Sequence, residues 1–247
     1  MSFELDALLR TRPQPPETIA WAWALERNAA EPLEHRVLPS IADVPSRPPT
    51  RGELWLWFGE PATASFAEFL AHLDSAEQAR ALGFRVEADR WTCAASRACL
   101  RALLGAMLGA APLGLSFLSG PKGKPLLSSG RIHFNVSHTR GLIAIAIAGS
   151  PVGVDVEPMR HLPDLMDLSR LAFAPQMQAE LSACPNETLR TRMFFRFWTL
   201  AEAYIKATGE GVSQGLSSFV FDAEAARLIQ AAPAWGPASR WRFHAGP

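Results

Sequence analysis

Between Leu142 and Pro158 the chain alternates with period two, twice over. Ile143, Ile145 and Ile147 interleave with Ala144, Ala146 and Ala148. After a tight "GSPVG" turn, Val152, Val154 and Val156 interleave with Gly153, Asp155 and Glu157. Successive side chains of a strand point to opposite faces. The first run is therefore a strand with an isoleucine face that fills a core and an alanine face that another element can approach closely. The second has a valine face and an acidic face, with no Cβ at Gly153. The turn between them predicts a hairpin. Asp155 and Glu157, about 7 Å apart along the strand, repel each other, so they need a reason to be there.

The rest of the chain bounds the answer. Its 247 residues are 48% hydrophobic, enough for one large or two small packed domains. Lys+Arg and Asp+Glu are both 24, and a net charge of zero gives no bulk attraction to nucleic acid or an anionic membrane. Cys93, Cys99 and Cys184 have no CxxC spacing, which argues against a disulfide framework or a zinc site and fits a reducing cytosol. The opening "MSFELDALLR" carries acids where a secretory signal carries bases, and "GLIAIAIAGSPVGV" is too short to span a bilayer. A soluble, cytoplasmic protein is expected.

Residues 1–52 read as a proline-rich extension draped over the body, with a short apolar piece around Trp21 and Trp23. The folded part is expected from "ELWLWFG", a strand buried on both faces. A helix is predicted from about Val86 to a stop at Gly109, and another from about Thr188 to Thr208, stopped by Gly209. Phe194, Phe197, Ala201, Tyr204 and Ile205 form the core stripe of the second. On the first, Arg97 and Arg101 read as a solvated basic edge. "RIHFNVSH" reads as a short strand and "LSSFVF" as another, giving an α+β chain in which strand, helix, loop and strand recur roughly twice.

Glu202 and Lys206 stand one helical turn apart, in the favourable order for an ion pair. Glu202 lies on the flank of the core stripe beside Trp198 and Phe195, so its carboxylate is partly desolvated and needs a cation, either Lys206 or a metal. Asp155, Glu157 and Glu202 make a hard-oxygen set without a Cys/His partner set, which points to Mg²⁺ or Mn²⁺. Mg²⁺ usually completes its shell with substrate phosphates. Lys122 and Lys124 in the loop "GPKGKPLL", and Ser137, His138 and Thr139 at a strand end, are donors suited to that partner.

The segments "GKP" at 123–125, "FNVSHT" at 134–139, "VGVDVE" at 152–157 and "FWTLAEAYIKATGEG" at 197–211 occur in this order. Together with "FRVEADRW" at 84–91, the set closely resembles the Sfp-type 4′-phosphopantetheinyl transferases over roughly residues 54–221. The resemblance implies a pseudo-twofold α+β fold of two similar halves, 53–137 and 138–247, with coenzyme A in the cleft between them. It implies an enzyme of the holo-[acyl-carrier-protein] synthase type, which moves the phosphopantetheine arm onto a serine of an acyl, peptidyl or polyketide carrier protein. Asp155, Glu157 and Glu202 would hold Mg²⁺ on the pyrophosphate, and Ser137, His138 and Lys206 would contact phosphates. Lys124 and Pro125, with Arg90 and Arg85, would address the nucleotide end. Glu202 and Lys206 would carry the chemistry, in a monomer, since one chain can supply the whole cleft. Two departures stand out: Ala201 where the family has lysine, and Gln78 at a usually basic place. The first motivates an alternative, a degenerate relative that binds coenzyme A or carrier protein without chemistry. A Mg²⁺-dependent nucleotide hydrolase is a third reading.

Overall fold

The computed structural model describes residues 9–27, 33–61, 66–130, 132–139, 141–211 and 215–246. They form four layers, a helix, two sheets and a helix. Strands β1 (Leu9–Arg12), β2 (Ile19–Glu26), β3 (Glu34–Val37) and β4 (Glu53–Pro61) open the chain. Helices α1 (Phe66–Leu70), α2 (Ser75–Leu82) and α3 (Glu87–Leu108) follow, then the ribbon β5 (Phe117–Ser119) and β6 (Pro125–Leu127). The first sheet is completed by β7 (His133–Thr139) and β8 (Leu142–Ala148), in the order β1–β4–β8–β7, with β3 parallel to the start of β4. Trp55, Trp57, Ile143, Ile145 and Ile147 on its outer face pack against α3.

The second sheet carries β9 (Val152–Pro158). Beyond it lie α4 (Leu165–Ala172), α5 (Pro175–Ala183) and α6 (Glu187–Thr208), the pair β10 (Val220–Asp222) and β11 (Arg227–Gln230), and β12 (Trp241–Ala245). Its order is β12–β2–β9, all antiparallel. The proline-rich extension is thus corrected: its β2 is the central strand of the C-terminal half. Trp21, Trp23 and Leu25 fill the space between the two sheets with Leu54, Leu56, Phe58 and the β9 valines. Ala20, Ala22 and Ala24 face α6. A fully buried side chain the size of Trp23 or Leu25 contributes about 2–3 kcal/mol, so residues 19–26 belong to the core.

The hairpin expected of β8 and β9 does not form. β8 pairs with β4 and β7 while β9 pairs with β2, and the turn at 149–151 carries the chain from one sheet to the other. The reason is that the small face of β8 and the valine face of β9 meet across the two sheets rather than side by side. A boundary at 137/138 would cut through β7; the switch of sheets lies between β8 and β9.

Both long helices end as their glycines dictate. Gly109 (φ 62°) and Gly209 (φ 79°) are left-handed, and their N–H groups return to Gly105 and Ile205. The solvated edge expected on α3 is overturned at Arg101, which is fully buried. Its guanidinium meets Asp74 at 2.5 Å, Glu77 at 2.6 Å and the carbonyls of Pro112 and Leu115 at 2.7 and 3.0 Å. Arg97 joins Glu77 at 2.7 Å, and both arginines stack on Phe117. A buried guanidinium is tolerated because every face of it is paired.

Candidate active site

The site forms where β9 lies against α6. Gly153 brings the two backbones together: a Cβ there would stand 2.6 Å from Ala207 N and closer still to Ala203 O. This approach sets the next same-face residues of β9, Asp155 and Glu157, opposite Glu202 and Lys206. Lys206 reaches across to β9, its Nζ 2.6 Å from Asp155 Oδ1 and 3.1 Å from Ser137 Oγ on β7. Of the two cations open to Glu202, Lys206 goes to Asp155 instead, which is buried and whose charge has the greater need. Ser137 Oγ also donates to Asp155 Oδ1 at 3.0 Å and accepts from Val156 N–H at 3.3 Å.

One carboxylate oxygen is left over. Asp155 Oδ2 is buried and meets no hydrogen-bond donor among the described residues. Burial, then the charge of Asp155, raises the pKa of both Glu157 and Glu202 above the ordinary carboxylate value. Three acids thus face two cations, Lys206 on Asp155 and Arg160 at 4.0 Å from Glu157, an excess of negative charge that a divalent cation would relieve. No group of three acid, imidazole or thiol side chains among the described residues already closes around a common point. What fits a hard cation is the all-oxygen donor set and the unpartnered Oδ2.

His138, exposed at the end of β7, completes this rim. Desolvation, then the nearby positive charge of Lys206, lowers its pKa, so the imidazole is neutral at pH 7. The charge of Asp89, in the first turn of α3, acts on it in the opposite sense. Arg90 belongs to that turn, its Nε donating to Phe84 O at 2.6 Å, and Arg85 is exposed on the preceding loop. Pro125 begins β6. Lys124 departs from expectation: its ammonium is turned inward, to the carbonyls of Val152, Lys206 and Ala207 at 3.1, 2.6 and 3.2 Å. Gln78 is equally occupied, with the carbonyls of Leu70 and Leu73 both at 3.0 Å.

Sequence reasoning missed Asn135, whose Oδ1 accepts the Val154 N–H at 2.8 Å and so ties β7 to β9. The available signal was its place on β7 two residues before Ser137, on the same face and next to an otherwise apolar strand. Ala201, the departure from the family pattern, is fully buried among Phe197, Leu200 and Tyr204.

Two family models match consecutive parts of the chain, together residues 56–245. The 4′-phosphopantetheinyl transferase N-terminal model covers residues 56–150, and that of the 4′-phosphopantetheinyl transferase superfamily covers residues 151–245. They divide at the same 150/151 turn where the chain changes sheets. The 4′-phosphopantetheinyl transferase HetI of a Nostoc species is 33% identical over 213 residues, 82% of this chain and 87% of HetI. A putative 4′-phosphopantetheinyl transferase of a Synechocystis species is 35% identical over 184 residues, 72% of this chain and 74% of the relative. The Sfp protein of Bacillus subtilis is 30% identical over 87 residues, 35% of this chain and 38% of Sfp.

Proposed function

We propose how this cleft works from the premise that the chain belongs to the 4′-phosphopantetheinyl transferase superfamily, and is a 4′-phosphopantetheinyl transferase using coenzyme A. The acceptor is a serine of an acyl, peptidyl or polyketide carrier protein, and the enzyme is of the holo-[acyl-carrier-protein] synthase type. The observation that carries the site assignment is the buried junction of Asp155, Ser137 and Lys206, with Asp155 Oδ2 left unpartnered.

Asp155, Glu157 and Glu202 would hold Mg²⁺, with Mn²⁺ as a substitute; when bound, the ion neutralises charge on the pyrophosphate of coenzyme A. Lys206 supplies a second positive charge at the same place. In-line attack by the serine oxygen on the pantetheine-side phosphorus forms the new phosphodiester and breaks the pyrophosphate bond, and adenosine 3′,5′-bisphosphate leaves. The step requires both that neutralisation and positioning. His138 donates a ring N–H to phosphate oxygen, and Ser137 holds Asp155 in orientation. Glu202, or a water that the ion would hold, would take the serine proton. Arg85 and Arg90, with Pro125, flank the nucleotide end. Full burial of Ala201 makes it a packing position, which removes the motive for a binding-only relative. No described helix is long and apolar enough to cross a membrane; we place the enzyme in the cytoplasm, as a monomer.

Mass spectrometry tests the reading. Apo carrier protein incubated with coenzyme A, Mg²⁺ and the enzyme gains the phosphopantetheine mass, and chelation of the metal prevents it. An unmodified carrier across acyl, peptidyl and polyketide types would refute it.

A further inference from the structure

In the second sheet β9 is paired with β2 along one edge; its other edge faces the first sheet. An open edge presents unpaired N–H and C=O groups, and buried ones must be satisfied. Here the partners are side chains of the N-terminal half. Val156 N–H meets Ser137 Oγ, Val154 N–H meets Asn135 Oδ1, and Val152 O meets Lys124 Nζ, three alternate residues held by three polar groups. Lys124 goes further. Its other two contacts are the carbonyls of Lys206 and Ala207, in the last turn of α6, where helical carbonyls have no partner of their own. An ammonium has three donors, and three carbonyls engage them. Its positive charge also suits the negative end of the helix dipole. Burial holds its pKa down to about 8, so it is mostly protonated at pH 7.

We propose that Lys124 is a positioning residue: it fixes the start of β9 against the end of α6, and through them sets Asp155 against Glu202 and Lys206, without itself touching the nucleotide. Asn135 and Ser137 extend the same ladder along β9. The activity arm of the test rests on the transferase reading; the exchange arm does not.

The full-length protein carries Lys124→Met, which keeps the apolar stem and removes the donors, and Lys124→Arg. Transfer to apo carrier protein is measured with coenzyme A and with dephospho-coenzyme A, and amide hydrogen exchange is followed in β9 and the last turn of α6. The expected result for Lys124→Met is a kcat lower by about 10- to 100-fold, with an unchanged preference for coenzyme A over dephospho-coenzyme A. Exchange quickens at Val154, Val156 and residues 205–209, and Lys124→Arg recovers part of both losses. Collapse of the preference for coenzyme A would overturn the proposal in favour of a 3′-phosphate contact, and so would unchanged exchange in a folded Lys124→Met protein. If wild-type enzyme transfers nothing, the transferase reading fails and exchange alone decides this one. Should Lys124→Met not fold, Asn135→Leu decides: faster exchange at Val154 supports the ladder and unchanged exchange overturns it.

Discussion

Adding one methyl group at Gly153 should damage both the fold and the reaction, and the size of the effect follows from the packing. The Cβ of Gly153→Ala would stand 2.6 Å from Ala207 N, where ordinary contact begins at 3.4 Å, and nearer still to Ala203 O. Both obstacles are helix backbone, so no side chain can swing away. The helix must retreat from the strand by roughly 0.8 Å or more, in an interior that is otherwise close-packed. Overpacking of this kind costs about 1–3 kcal/mol. The same retreat carries Lys206 from Asp155 and Glu202 from Glu157, and a misplacement of about 1 Å can cost on the order of 100-fold in rate. Denaturant unfolding measures the first quantity and carrier-protein loading the second. A Gly153→Ala enzyme with wild-type stability and turnover would show that the close contact does not set the site.

Three further outcomes are expected. Glu202→Gln should reduce transfer by at least about 100-fold. Because the raised folded pKa of Glu202 favours its protonated form, its contribution to stability is present below the ordinary carboxylate pKa and lost as pH rises through the raised value. The amide should therefore leave metal-free protein more stable at pH 7 than wild type, and equal stability in a pH-resolved unfolding series would deny that shift. Arg101→Met should cost roughly 3 kcal/mol in denaturant unfolding, because it leaves Asp74 and the carbonyls of Pro112 and Leu115 without their donor and Glu77 with Arg97 alone; a loss under about 1 kcal/mol would mean that the network is dispensable. Ala201→Lys should lower stability and activity together, since it forces an ammonium among Phe197, Leu200 and Tyr204. A rate gain would show that the position opens to the cleft.

Much of the fold was readable wherever a periodicity or a stop was local. Period two in residues 143–156 marked β8 and β9 and their faces, and Gly109 and Gly209 marked the ends of α3 and α6. Strand pairing was not readable, because the same alternation serves a hairpin or two stacked sheets; only the alanine face of β8 hinted at stacking. The alternation of Ile19, Trp21, Trp23 and Leu25 with Ala20, Ala22 and Ala24 was as regular, yet flanking prolines disguised it as an extension. At the site, the acids and Lys206 stood out by residue type. The partners of Lys124 and Arg101 did not, since backbone carbonyls and distant acids such as Asp74 leave no mark at the arginine or lysine they satisfy.

The place of β2 also orders events during synthesis. Residues 19–26 leave the ribosome early, but their neighbours in the sheet, β9 and β12, and the helix that covers their alanine face come much later. Until then two tryptophans and a leucine await their cover. Contacts so distant in sequence are slow to close and leave apolar surface open to misassembly. The two halves defined by residues 56–150 and 151–245 are therefore not separable folding units. Trimming the chain to that span would remove the strand between β9 and β12, leaving a C-terminal sheet with nothing at its centre.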